Sequence, residues 1–149
     1  MSKVPTRSPT HREVDLGRLA ALGLEVDELA EDGVVTLAAV TELAEDRGRP
    51  VSHYLAGLAL ATETTLAVTP GLPVLTVCAG KCQSWGALDL LDHAAEMAPR
   101  RGGFALRVVS CLDRCDQAPA ATWASADGTA VLAPATRALL DEAIASAAR

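Results

Sequence analysis

The 149-residue chain is long enough to bury its own core, and half of its side chains are apolar. Its 13 basic and 19 acidic side chains give a formal charge of −6, which argues against nucleic acid as a partner because phosphate backbones bind clustered Lys and Arg. No apolar run approaches the ~18 residues of a membrane-spanning helix, so we expect a cytoplasmic protein without a membrane span.

Residues 1–12 mix basic side chains with Pro, Ser and Thr, and they contain no apolar run that could form a signal-peptide core. We interpret them as a flexible tail. Apolar residues at helical spacing then predict a helical arm over residues 13–70. Its three amphipathic helices are predicted at Val14–Leu22, Thr36–Arg47 and Ser52–Ala61.

Capping residues define the ends of the arm helices. Thr36 and Ser52 each offer a side-chain oxygen that can cap the helix beginning there. Gly48 and Pro50 favour a stop and a restart between the second and third helices. The stretch from Thr62 to Pro73, rich in Thr, Pro and Gly, then separates the arm from residues 71–149.

The second half predicts a mixed α/β domain over residues 71–149. Short runs rich in β-branched residues predict strands, Asp127-Gly128 predicts a hairpin turn, and Ser84 and Pro134 can each open a helix. The predicted order is strand Pro73–Cys78, a helix ending before Pro99, strand Phe104–Ser110, hairpin strands Ala120–Ser125 and Thr129–Leu132, and a final helix. This order is βαβ followed by ββα. The predicted fold class is therefore α/β (α+β), with an N-terminal helical arm before a thioredoxin-like domain.

The four cysteines form two C-x3-C pairs, Cys78 with Cys82 and Cys111 with Cys115. Each pair follows a predicted strand, and a right-handed βαβ crossover brings the carboxyl ends of two such strands to one edge of the sheet. Four thiolates could therefore converge on one site. In a cytoplasmic chain, metal ligation or redox chemistry is a better default than a disulfide framework.

Spacing alone leaves the metal open. A [2Fe-2S] cluster uses four thiolates, and structural zinc accepts the same four sulfurs with two to four residues within a ligand pair. The zinc alternative corresponds to a non-catalytic interaction module. A thiol-disulfide oxidoreductase of thioredoxin type would instead show C-x2-C at the start of a helix.

The cysteine loops resemble those of a known family. V-C-A-G-K-C-Q-S-W-G-A at Val77–Ala87 and C-L-D-R-C-D-Q-A-P at Cys111–Pro119 are similar to thioredoxin-like [2Fe-2S] ferredoxins. The likeness is strongest to the small cluster-bearing subunit of complex I and its relatives in NAD-linked hydrogenases and formate dehydrogenases. The arm resembles, more loosely, the helical bundle of those subunits, so the resemblance spans roughly three quarters of the chain.

The resemblance implies that Cys78, Cys82, Cys111 and Cys115 ligate one [2Fe-2S] cluster. The first pair has three intervening residues where the family commonly has four. The implied function is electron transfer, without catalysis by this chain, to or from a flavin-bearing NAD(P)-binding subunit in a complex with further iron-sulfur or catalytic subunits. The sequence leaves open which complex it serves and whether the free chain forms a homodimer.

Other residues have two interpretations each. Trp85 and Trp123 could shield a cluster from water, although core packing is the more common role of such residues. The apolar faces around Val40 and Leu58 could dock the flavin-bearing subunit that the resemblance implies, or they could pack on one another. No phosphate-binding loop or supported nucleophile is found, so no catalytic residue is assigned.

Overall fold

The computed structural model describes residues 16–68, 71–79, 87–101, 104–109, 121–126, 128–132 and 136–147. Within these residues the chain is a mixed α/β protein, as the sequence predicts. In chain order the elements are α1 (Leu16–Asp27), β1 (Val34–Val35), α2 (Leu37–Arg47), α3 (Val51–Ala61), β2 (Thr65–Leu66), β3 (Val74–Cys78), α4 (Ala87–Arg101), β4 (Ala105–Val109), β5 (Ala121–Ser125), β6 (Gly128–Leu132) and α5 (Arg137–Ala147). None of the described helices combines the length and apolar character needed to cross a bilayer.

Helix α1 extends beyond its predicted end at Leu22. Leu19, Leu22 and Val26 are all buried, so the apolar stripe continues for another turn and the helix runs to Asp27. Most of the contacts of α1 are with α3. The longer apolar stripe, buried against the neighbouring helix, therefore accounts for the extra length of α1.

Two glycines allow helices α1 and α3 to approach closely. A Cβ at Gly57 would overlap the carbonyl oxygen of Leu19, and a Cβ at Gly23 would lie 2.8 Å from the backbone nitrogen of Leu58 as well as overlapping the Gly57 carbonyl group. Real side-chain carbons do not approach backbone atoms this closely. The two helices therefore pack backbone against backbone where these glycines meet.

Helix α2 begins and ends where the sequence predicts. The Thr36 hydroxyl oxygen accepts a hydrogen bond from the Ala39 N–H at 3.1 Å, which caps the amino-terminal end. Gly48 adopts the left-handed conformation with φ of 66°, and the following N–H of Arg49 donates to the Ala44 carbonyl at 3.0 Å. Both predicted capping signals are confirmed.

The predicted cap of helix α3 is wrong. Ser52 lies inside the first turn and is buried, and Pro50 occupies the capping position without a side-chain bond. Asp92 of α4 supplies the missing acceptor: its carboxylate accepts from the Ser52 backbone N–H at 2.9 Å and from the Ser52 hydroxyl at 3.0 Å. The arm is thereby joined to the second half of the chain through a helix cap.

A small parallel sheet joins β1, which precedes α2, to β2, which follows α3, and it has no counterpart in the predictions. Val34 pairs with Thr65 and Val35 pairs with Leu66. The Thr64 hydroxyl also donates a hydrogen bond to the Asp27 carboxylate. Part of the Thr62–Pro73 stretch is thus held against the end of α1, and β2 contacts β4 of the main sheet.

The main sheet has four strands in the order β4-β3-β5-β6. Strands β3 and β4 are parallel, whereas β5 runs antiparallel to both β3 and β6. The strands and the hairpin predicted from the sequence are confirmed within the described residues. The predicted strand ends Ser110 and Ala120 and the turn residue Asp127 lie outside them. Alternate residues Leu75 and Val77 of the central strand β3 are fully buried in the core.

Helix α4 packs on β3 and β4 and also contacts α3 and α5. The prediction that it ends before Pro99 is wrong, because the helix runs to Arg101. Proline lacks an N–H, so the helix continues past Pro99 with one backbone hydrogen bond missing in its last turn. His93 Nε2 lies 2.7 Å from Asp141 Oδ1, and this hydrogen bond joins α4 to α5.

We predict that Gly57→Ala destabilises the protein by about 3 kcal/mol, because the added methyl group forces α1 away from α3. Urea unfolding followed by circular dichroism measures the change. Gly17→Ala adds the same methyl at an exposed position of α1 and should be neutral or slightly stabilising. Equal stability of the two variants would contradict the close approach.

We predict that Asp92→Ala costs more stability than Ser52→Ala. The Asp92 change removes both bonds and leaves the amino-terminal end of α3 uncapped, at about 2 kcal/mol, whereas the Ser52 change removes only the hydroxyl bond, at about 1 kcal/mol. The free energies of unfolding, with that of the double variant, give the coupling between the two residues. A larger loss for Ser52→Ala would exclude the capping role of Asp92.

Tyr54 provides a pH-dependent test of the arm core. Burial, with a contribution from nearby Glu25, raises the pKa of Tyr54 above its ordinary value of 10.0. Its hydroxyl is buried and has no hydrogen-bond partner among the described residues. The unfolded chain therefore ionises first, and native stability falls as the pH rises above 10 through the higher folded-state pKa.

We predict that Tyr54→Phe reduces this alkaline loss of stability and leaves the protein at least as stable at pH 7, since a buried, unsatisfied hydroxyl is removed. Urea unfolding at pH 7 and at pH above 10 compares the two proteins. Identical pH profiles would show that Tyr54 ionises equally in the folded and unfolded states.

Candidate metal centre

Cys78 is the last residue of β3 and is only 1% exposed. The run Val74–Cys78 forms a strand because its β-branched residues pack well on a pleated surface and the run is too short for a helix. Strand β3 lies between β4 and β5, so both of its edges are hydrogen-bonded. The thiol-bearing end of the strand is therefore held on a rigid element.

Strand β4 brings the second cysteine-bearing loop to the same edge of the sheet. It pairs in parallel with β3, and Cys78 lies opposite Val109 in the register. The Ala79 N–H donates to the Val109 carbonyl at 2.8 Å, so the pairing extends one residue past Cys78. The carboxyl ends of the two strands therefore lie side by side, as the βαβ order predicts.

Cys82, Cys111 and Cys115 lie outside the described residues, as do Lys81, Trp85 and Ser84. Among the described residues there is no group of three or more His, Cys, Asp or Glu side chains that could hold a metal ion. The geometry of the site is thus known for Cys78 and for the strand that leads to Cys111.

The residues next to Cys78 in the chain and in the neighbouring strand are apolar. Val77 and Ala79, the neighbours of Cys78 in the chain, are fully buried, and Val109 is half-buried. A cavity of about 220 Å³ borders the carboxyl half of β4 and is lined by Leu58 and Thr62 of the arm together with Arg107. Arg107 is exposed and lies opposite Thr76 in the strand register. In that register it is the described basic residue nearest to the carboxyl ends of β3 and β4.

Trp123 packs in the core away from this edge. It lies opposite Leu75, three residues before Cys78, which corresponds to about 10 Å along the strand. Its ring centroid is 5.4 Å from that of Phe104, which precedes the first residue of β4. The core-packing interpretation of Trp123 is therefore correct.

The apolar residues that the sequence offered as a docking surface also belong to the core. Val40 is fully buried and Leu58 is 2% exposed. The interpretation that these faces pack inside the arm is correct. The imidazole of His93 is hydrogen-bonded to Asp141 at 2.7 Å. That hydrogen bond and the Ser52–Asp92 cap join residues more than 35 positions apart, and no local sequence signal indicates either of them.

Comparison of the chain with protein-family models and with curated proteins finds no match. The family resemblance of the cysteine loops accordingly rests on the residues quoted from the sequence. The geometry at the carboxyl ends of β3 and β4 provides an independent line of argument about the same residues.

Proposed function

We propose that this chain is an electron-transfer protein that holds one [2Fe-2S] cluster on Cys78, Cys82, Cys111 and Cys115. In this proposal it relays single electrons to or from a flavin-bearing NAD(P)-binding subunit of a larger oxidoreductase. The observation that carries the proposal is the parallel pairing of β3 with β4, in which buried Cys78 lies opposite Val109.

The covalent chain limits how far the two cysteine pairs can lie apart. Paired strands are about 4.8 Å apart, and the two peptide units from Val109 to Cys111 span at most about 7 Å. The Cα atoms of Cys78 and Cys111 therefore cannot be separated by more than about 12 Å. Cys82 and Cys115 each follow four residues after a partner cysteine, so both loops start within reach of one small centre.

The donor set fits a cluster of this kind. Four thiolates satisfy the two irons of a [2Fe-2S] centre, and the soft sulfur ligands suit iron. Cys78 itself is only 1% exposed, so water has little access to the described part of the site, and solvent exposure is one of the factors that set a cluster's reduction potential. When bound, the cluster supplies one-electron transfer, and the protein contributes ligation, rigidity and shielding.

The strand order agrees with the fold that the proposal requires. A thioredoxin-like domain has a βαβ unit followed by an antiparallel hairpin and a helix, and the order β4-β3-β5-β6 with one parallel pair is consistent with that arrangement. The arm adds α3, which packs on α4 and β4. Docking of a flavoprotein must use other residues than Val40 and Leu58, because both are buried.

We predict that the full chain, purified without oxygen, is red-brown and contains two irons and two acid-labile sulfides. Its visible absorption should bleach on reduction, and the reduced sample should give an electron paramagnetic resonance signal of one spin per chain. A colourless protein with one zinc would contradict the proposal and support the zinc-stabilised interaction module. Disulfide reductase activity that survives removal of metal would point to thiol redox chemistry.

Cysteine variants and a matched control test the ligand assignment through the iron content of the purified protein. Replacing Cys78, Cys82, Cys111 or Cys115 with Ala should abolish the cluster or lower its occupancy severely, because each supplies one bond to iron. Lys81→Ala is the control, since it lies between two proposed ligands and should leave the cluster assembled. Equal iron content in Cys78→Ala and Lys81→Ala would refute the assignment.

A further inference from the structure

A groove of about 560 Å³ lies between helix α2, strand β2 and the beginning of β4. Its floor is apolar: Leu66, Phe104 and Leu106 line it and are buried in the core beneath. Its volume is within the range of ~300–1,000 Å³ typical of ligand sites. The groove can therefore accept apolar groups.

One wall of the groove is acidic. Glu42 and Glu45 of α2 both line it, and both are exposed. They are three residues apart on the helix and so project from the same side of it. Neither forms an ion pair or side-chain hydrogen bond with a described residue. A segment that combines apolar side chains with positive charge would complement both the apolar floor and the acidic wall of the groove.

The amino-terminal tail has this chemistry. Residues 1–12 contain three of the chain's 13 basic side chains and none of its 19 acidic ones, so the remainder holds 10 basic and 19 acidic side chains, a net charge of −9. The same tail contains Val4, Pro5 and Pro9. Charge complementarity therefore favours contact between the tail and an acidic, apolar part of the body.

We propose that residues 1–12 dock in this groove, with apolar residues around Val4 and Pro5 on the floor and Lys3 and Arg7 facing Glu42 and Glu45. Proline fixes its own φ and biases the preceding residue towards extended backbone, so a segment containing Pro5 and Pro9 is suited to an extended bound form. Extended, proline-containing segments commonly bind apolar grooves in this way.

The tail is long enough to reach the groove. Residues 1–15 span up to about 50 Å when extended, compared with a radius of gyration of about 15 Å for a compact chain of this length. Because the tail is tethered, its effective concentration at the groove is in the millimolar range, so even a weak intrinsic affinity keeps it docked.

Docking of the tail is independent of the proposed electron-transfer function. The groove borders Phe104, Ala105 and Leu106, at the beginning of β4, whereas Cys78 lies opposite Val109 at the end of that strand. The docked tail would therefore leave the proposed cluster edge open. It would cover an acidic, apolar surface that is otherwise available to basic segments of other proteins.

Nuclear magnetic resonance of the full ¹⁵N-labelled chain tests the proposal. The wild type is compared with Lys3→Gln/Arg7→Gln/Arg12→Gln and with Glu42→Gln/Glu45→Gln. We expect the amide signals of Ala38, Thr41 and Ala67 to shift by more than a linewidth in the tail variant at 0.01 M salt. The difference should disappear at 1 M salt, where the Debye length falls from about 30 Å to about 3 Å.

The tail signals provide the reciprocal readout. In Glu42→Gln/Glu45→Gln they should move to the positions of a synthetic peptide of residues 1–12, whereas the control Glu28→Gln/Glu31→Gln, which removes the same charge outside the groove, should leave them in place. Wild-type tail signals that already match the free peptide would overturn the proposal. Groove signals that depend on protein concentration, and are unchanged in the tail variant, would assign the groove to a second copy of the chain and also overturn it.

Discussion

The parallel hydrogen-bond ladder between β3 and β4 is the constraint on which the candidate site depends. It makes two segments that are about 30 residues apart in the chain end at the same edge of one sheet, with Cys78 opposite Val109. Parallel neighbours require a crossover, and α4 provides it while covering both strands. If the register were shifted by one residue, the strand side chains would exchange faces and Cys78 would no longer lie opposite Val109.

Helix α4 connects the parts of the molecule through two adjacent residues. Asp92 caps helix α3 of the arm, and His93 pairs with Asp141 of α5. Because α4 also packs on β3 and β4, the position of the arm is coupled to the strands that lead into the cysteine loops. A partner that contacts the arm would therefore bind a surface attached rigidly to the candidate metal centre, rather than one on a loose extension.

Local patterns predicted most of the elements but few of the contacts between them. Strand β3 could be predicted because five largely β-branched residues are too few for a helix, and the βαβ order then predicted its parallel partner. The β1–β2 pair could not be predicted, since strands of two residues carry no periodicity. The role of Ser52 could not be predicted either, because its acceptor Asp92 lies 40 positions away and leaves no local signal in the sequence. The ligand roles of all four cysteines remain predictions from spacing and resemblance, and Cys82, Cys111 and Cys115 also lie outside the described residues.

Both halves of the proposed site must contribute sulfur to the same metal centre, and this is the claim from which the electron-transfer function follows. X-ray absorption spectroscopy at the iron edge, on the anaerobically purified full chain, measures it most directly. A [2Fe-2S] cluster on the four cysteines predicts a first shell made only of sulfur, with four sulfurs per iron, together with one iron neighbour at short range. Iron with nitrogen or oxygen ligands, or a metal ion bound by four sulfurs without a second metal beside it, would contradict it.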